Sequence, residues 1–194
     1  MTKNIVRHDG DVRREDRHRL TGGPGCTVLL TGLSGSGKST IAFAVEKALI
    51  NSGRNAVVLD GDNLRFGLNS DLGFSPEDRA ENVRRVTEVA RLMADAGLVA
   101  VVPVIAPYEA DRNAARTRHE EGGTSFLEVF VDTPLEVCEG RDPKGLYARA
   151  RAGEIENMTG IDAPYERPVS PDLVIDGSSV VIDDAVDAIV GLIT

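Results

Sequence analysis

The chain has 194 residues, 31 acidic and 22 basic side chains, and a formal net charge of -9. That length is enough for one domain with its own core, and the acidic balance argues against nucleic acid and against a basic membrane-binding patch. There is no run of about 18 apolar residues to span a bilayer, and the opening stretch has no apolar segment of a secretory signal. The two cysteines, Cys26 and Cys138, then read as reduced and buried, which points to the cytoplasm.

Residues 1–25 read as a polar arm, disordered or loosely docked, closed by Thr21-Gly22-Gly23-Pro24-Gly25. Its first twenty residues hold six basic and four acidic side chains, a small positive excess on an acidic protein. Residues 26–194 are taken as the folded domain. Cys26–Thr31 is a short apolar run, the pattern of a buried parallel strand. Lys38–Asn51 is predicted helical, with Ile41, Val45, Ala48 and Leu49 on one face and Gly53 as the stop. Ala56–Asp60 is a second strand. Asp78–Ala96 is a long helix and Leu98–Ile105 a third strand, flawed by Pro103, which lacks a ladder donor. Asp111–Glu121 is helical and Phe126–Val131 is the fourth strand. Pro134 is placed at the first position of a helix over Leu135–Glu139. Leu146–Arg151 is a basic helical segment, Asp172–Ile175 a fifth strand and Asp183–Ile193 a closing helix. Strands alternating with helices predict a five-stranded parallel sheet covered on both faces. The long irregular stretch at about 152–171 is the place for a mobile lid.

The sharpest local signal is Gly32-Leu33-Ser34-Gly35-Ser36-Gly37-Lys38-Ser39, which follows a strand and opens a helix. Such a loop wraps a phosphate with backbone N–H groups at a helix N-terminus. Gly32, Ser34, Gly35, Ser36, Gly37, Lys38, Ser39 and Thr40 are therefore the candidate ATP residues. Lys38 reaches for the β/γ-phosphates and Ser39 for Mg²⁺. No guanine-reading Asn-Lys-x-Asp follows, so a GTPase is excluded and a small-molecule kinase is the better reading. Strand two ends in Asp60-Gly61-Asp62, a pair that holds Mg²⁺, orients an acceptor hydroxyl, or simply caps a turn. Arg65, Arg79 and Arg85 beyond it point to an anionic acceptor. Arg79, Asn82 and Arg85 share one helical face and Arg84 falls off it. Phe74 is either a core plug or a stacking platform.

The segments Leu59–Asn69, Leu72–Arg85, Phe130–Cys138, Arg141–Tyr147, Arg149–Ile155 and Thr159–Asp162 together closely resemble the adenylylsulfate kinases (APS kinases). The resemblance covers about residues 25–176. It implies a P-loop kinase fold and transfer of phosphate from ATP, with Mg²⁺, to the ribose 3′-hydroxyl of adenosine 5′-phosphosulfate (APS), giving PAPS. It also implies a homodimer, and it allows functional association with an ATP sulfurylase. By that likeness Asp62, Asn63 and Arg65 contact the acceptor, Phe74 stacks on its adenine, and Arg79 and Asn82 hold its phosphosulfate and ribose. Ile105, Ala106, Leu146 and Met158 line its pocket, and Arg141 lies on the ATP side. Lys38, Asp62 and Lys144 are the candidate catalytic residues, and Ser39 and Asp60 the candidate metal ligands. Ala106 stands where the family usually has Ser, and Met158 where it commonly has Phe. Ala106 has no oxygen, so no phosphoserine forms there and transfer is direct. The alternative is a kinase of the same fold acting on another nucleotide-linked or sugar acceptor.

Overall fold

The computed structural model describes residues 6, 8 and 10–193. Lys3, Arg7 and Asp9 of the expected arm lie outside the described residues. The first described helix, α1 (Arg14–Thr21), has no counterpart in the sequence reading. It buries no side chain, and its one apolar residue, Leu20, is exposed, so no apolar stripe announces it. It is held from outside. Arg14 pairs with Asp95 at 2.5 Å and donates to the carbonyls of Gly122 and Gly123, while Arg17 pairs with Asp95 at 2.7 Å. Arg54 and Asn55 donate to the carbonyls of Gly22 and Thr21.

The sheet has five parallel strands, β1 (Cys26–Thr31), β2 (Ala56–Val58), β3 (Val99–Pro103), β4 (Ser125–Asp132) and β5 (Leu173–Asp176). Their order is β2-β3-β1-β4-β5. Every residue of β1 and β3 is buried, because helices cover both faces. On one face Val28, Leu30, Val99, Val101, Val129 and Val131 pack against α2 (Lys38–Asn51) and α8 (Ile182–Ile193). On the other, Leu29, Ala100 and Val102 meet α4 (Pro76–Asp95) and α5 (Glu109–Glu121). The strand alternation thus sorts residues between two cores. A third, smaller cluster joins Cys138, Tyr147 and Met158 beneath the irregular stretch, beside α6 (Leu135–Arg141) and α7 (Leu146–Arg151). Both cysteines are free and buried. Among the described residues no helix is long and apolar enough to cross a membrane.

Several boundaries differ from expectation for physical reasons. The long helix starts at Pro76, two residues early, because Ser75 caps it by accepting from the Asp78 N–H and Pro76 suits the first turn. Pro134 is the residue before α6, outside the first helical position. The strand β2 ends at Val58, and Asp60 instead caps a four-residue helix, α3 (Gly61–Leu64), that the sequence reading lacks. Pro103 sits where the ladder stops. The Val99 N–H and Val101 carbonyl point toward β2, whereas the Val104 N–H points to Leu30 of β1. Pro103 therefore faces the β2 side one step past the last rung there, the Leu59 N–H to the Val101 carbonyl, so its missing donor ends the pairing and does not interrupt it.

Candidate active site

All five strands open at their carboxyl ends onto one cleft of about 730 Å³. Its floor is the loop between β1 and α2. Gly32 has φ +151°, and a Cβ there would stand 2.5 Å from the Val131 carbonyl oxygen, so only glycine lets the loop lie this close to β4. The loop is buttressed from below. Tyr147 Oη donates to the Ser34 carbonyl at 2.9 Å, Thr133 Oγ1 to the Ser36 carbonyl at 3.1 Å, and Arg141 to the Gly35 and Gly177 carbonyls at 3.3 and 2.8 Å. The Lys38 ammonium donates to the Leu33 carbonyl at 2.7 Å. Burial of this group pushes its pKa down from 10.5 to about 8, a cost that a bound anion would offset.

Ser39 Oγ donates to Asp60 Oδ2 at 2.8 Å, while Asp60 Oδ1 accepts from the Asp62 and Asn63 N–H groups. The capping role is thus taken by Oδ1, while Oδ2 lies beside the Ser39 hydroxyl. A hydroxyl and a carboxylate side by side are hard oxygen donors of the kind Mg²⁺ takes. Among the described residues no group of three or more His, Cys, Asp or Glu could hold a metal by itself. Across the cleft mouth, Lys144 forms an ion pair with Asp62.

The far wall is built by the loop from Arg65 to Phe74 and by α4. Phe74 is 59% exposed, which removes the core-plug reading. The Arg65 guanidinium lies over its ring, 4.2 Å from the centroid, and donates to the Leu72 and Gly73 carbonyls. Arg79 is buried, and its donors go to the Phe74 carbonyl at 2.9 Å, Thr159 Oγ1 at 2.7 Å and the Asn157 carbonyl at 2.5 Å. Arg79 thereby ties α4 to the stretch carrying Met158. Arg85 leaves the cleft for Asp71 and Glu81, and Arg84 pairs with Glu81 in solvent. Behind Ile105 and Ala106, Thr31 Oγ1 donates to the Ile105 carbonyl at 2.6 Å, and the buried Arg112 forks to Glu128 and to the carbonyls of Ala106 and Glu166.

A family model for adenylylsulphate kinase matches residues 24–176. The chain belongs to the adenylylsulfate kinase family. It is 58% identical over 179 residues to the adenylyl-sulfate kinase of Citrobacter koseri, covering 92% of this chain and 88% of that protein. It is 54% identical over 176 residues to the chloroplastic adenylyl-sulfate kinase 4 of Arabidopsis thaliana, covering 91% of this chain and 56% of that one. Among solved structures it is similar to the Mycobacterium tuberculosis APS kinase CysC in complex with AMPPNP and APS, with TM-score 0.84 and 55% identity over 88% of this chain and 98% of that one.

Of the predicted site residues, Ser34, Gly35, Ser36, Gly37, Lys38, Ser39, Thr40, Asp60, Asp62, Arg65, Phe74, Arg79, Asn82, Ile105, Ala106, Arg141, Lys144, Leu146 and Met158 all line this adenylylsulfate kinase cleft. Gly32 lies behind the loop and Asn63 points outward, contributing only its backbone N–H to Asp60. Met158 is mostly buried in the third cluster and shows only part of itself to the cleft. Sequence reasoning missed Thr159, Gly177 and Ile182 on the cleft wall, and Asn69 and Arg112 behind it. Thr159 and Asn69 sit inside the segments that carry the resemblance, so they could have been singled out. Arg112 had no signal, because a charged residue on a helix reads as solvated.

Proposed function

We propose that this chain transfers the γ-phosphoryl group of ATP to the 3′-hydroxyl of adenosine 5′-phosphosulfate, giving PAPS and ADP. The observation that carries the reading is a single cleft with a phosphate loop at one end and an aromatic ring flanked by two guanidiniums at the other, in a chain of this family. The first end suits a triphosphate. The second suits a base joined to an anion, and fits the APS named with the M. tuberculosis relative.

Phosphoryl transfer is catalysed by positioning and charge neutralisation. Lys38 faces the β/γ-phosphates with backbone N–H groups of the loop around it. Ser39 and Asp60 are the residues that would hold Mg²⁺, which when bound neutralises phosphate oxygens. Asp62 orients the acceptor hydroxyl and accepts its hydrogen bond. Lys144, now paired with Asp62, is near enough to turn to the transferring group as the stretch 152–171 closes as a lid. Phe74 stacks on adenine, and Arg65, Arg79 and Asn82 hold the phosphosulfate and ribose. Ala106 offers no oxygen, so the phosphoryl group passes directly to the acceptor. The chain acts as a homodimer in the cytoplasm, with an ATP sulfurylase as the source of its acceptor.

The test is turnover by the purified protein with ATP and Mg²⁺ against a panel of APS, AMP, cytidine diphosphate derivatives and sugars. PAPS formed with APS alone is the expected result. Turnover of another acceptor with none of APS would overturn it.

A further inference from the structure

Asn69 lies in the loop behind Phe74 and is fully buried, out of contact with the cleft itself. Its backbone organises that loop. The Asn69 N–H donates to the Leu64 carbonyl at 3.0 Å and closes α3, and the Asn69 carbonyl accepts from the Leu72 N–H at 3.2 Å. The Leu72 carbonyl in turn receives Arg65. Any side chain could supply those backbone bonds. What the asparagine side chain adds is one contact: its Nδ2 donates to Asn82 Oδ1 at 3.0 Å, in a buried position. Its own Oδ1 is buried and has no hydrogen-bond partner among the described residues.

An orphaned buried carbonyl oxygen is a standing cost, and an apolar side chain of the same shape would avoid it. A group kept at a loss to stability calls for a use elsewhere. Asn82 supplies one. It lines the cleft, and with its oxygen occupied by Asn69 its amide nitrogen is the atom left to face a ligand. An unrestrained amide can present either end, and the two ends are nearly the same shape.

We infer that Asn69 is a positioning residue for the acceptor: it fixes the Asn82 amide so that the cleft receives a hydrogen-bond donor, matched to an oxygen of the acceptor nucleotide. This rests on the APS reading of the same cleft. The device selects acceptors that offer oxygen at that point over those that offer a donor.

A double-mutant cycle with Asn69→Leu and Asn82→Ala tests it, reading kcat and both KM values with APS and ATP, plus the melting temperature. Asn69→Leu is expected to raise the KM for APS on the order of tenfold, the size of one well-made hydrogen bond. The KM for ATP and kcat stay within twofold, and the melting temperature does not fall. The double variant is expected to match Asn82→Ala alone, since Asn69 acts only through Asn82. An unchanged APS KM, a parallel rise in the ATP KM, or additive effects would each overturn the inference. Should Asn69→Leu fail to fold, Asn69→Asp serves: it accepts only, turns the Asn82 nitrogen inward, and is expected to raise the APS KM with the fold intact. An Asn69→Asp protein with the parent's APS KM would refute the idea. Parent enzyme that makes no PAPS sinks the APS reading and this inference together. Parent turnover with indifferent variants sinks only the inference.

Discussion

Lys38 shows how a single side chain couples folding to ligand capture. It is enclosed by the phosphate loop, with its ammonium on a backbone carbonyl and its pKa pushed down to about 8. A triphosphate favours the charged form and draws the pKa back up. Binding is then expected to take up a proton near pH 8.5. The ATP dissociation constant should rise roughly tenfold between pH 7 and pH 9, as expected for one group with a pKa about 8. Calorimetry in buffers of different ionisation enthalpy measures the uptake, and Lys38→Met should abolish both it and the pH dependence. The loop itself was legible because glycine spacing encodes its backbone conformation locally. Arg112 was not, because it matters through contacts that cross the chain, to Glu128 and Glu166, and although Asn69 lies in a segment that carries the resemblance, its pairing with Asn82 shows only in the fold.

The elements divide in the same way. Strand and helix runs with apolar periodicity were readable within a residue or two, since burial against the sheet dictates the pattern. The helix α1 was not, because nothing in its own eight residues requires it. Asp95, at the far end of α4, is the charged part of its support. Partial burial raises the Asp95 carboxyl, but Arg14 and Arg17 outweigh that and hold it below the usual range. Its contribution is present above the ordinary carboxylate range and is lost as pH falls through the lowered value. Replacing Asp95 by Ala should cost about 1 kcal/mol, as for partly exposed pairs. Trypsin should then cut within α1 about fivefold faster, with kcat and both KM values unchanged. Undiminished protection would show that the helix is held otherwise. A second dependence is set inside α5. The His119 ring is buried between the Ala115 carbonyl and Thr27 Oγ1, each 2.8 Å away, and burial lowers its pKa. The unfolded chain therefore binds the proton more readily. Stability should be full above pH 6.5 and fall below it, by at most about 1.4 kcal/mol per pH unit for one proton. Urea midpoints at pH 7.5 and 5.5 check this, and His119→Gln should flatten the slope.

At the scale of the whole molecule, the charge of -9 surrounds a cleft that holds Lys38, Arg65, Arg79, Arg141 and Lys144. The net charge rules on what the surface attracts, and the cleft gathers the opposite sign for a small anion. Asp183 and Asp184 open α8, next to Ile182 on the cleft wall, and are exposed. Asp183→Asn with Asp184→Asn should lower the KM for ATP on the order of threefold at 20 mM salt, by removing repulsion of a polyanion. The gain should vanish at 0.5 M salt, where the Debye length is only a few ångströms. A gain that survives high salt would have another cause. The parallel sheet has one more outcome. Each covering helix runs back against its strand, so α2 and α8 leave the cleft rim and end at the opposite one, where α1 is also clamped. Thr21 and Ile193 thus come out on the side away from substrate entry. A surface, a resin or a second enzyme attached to a residue of that rim leaves the mouth of the cleft facing free solution.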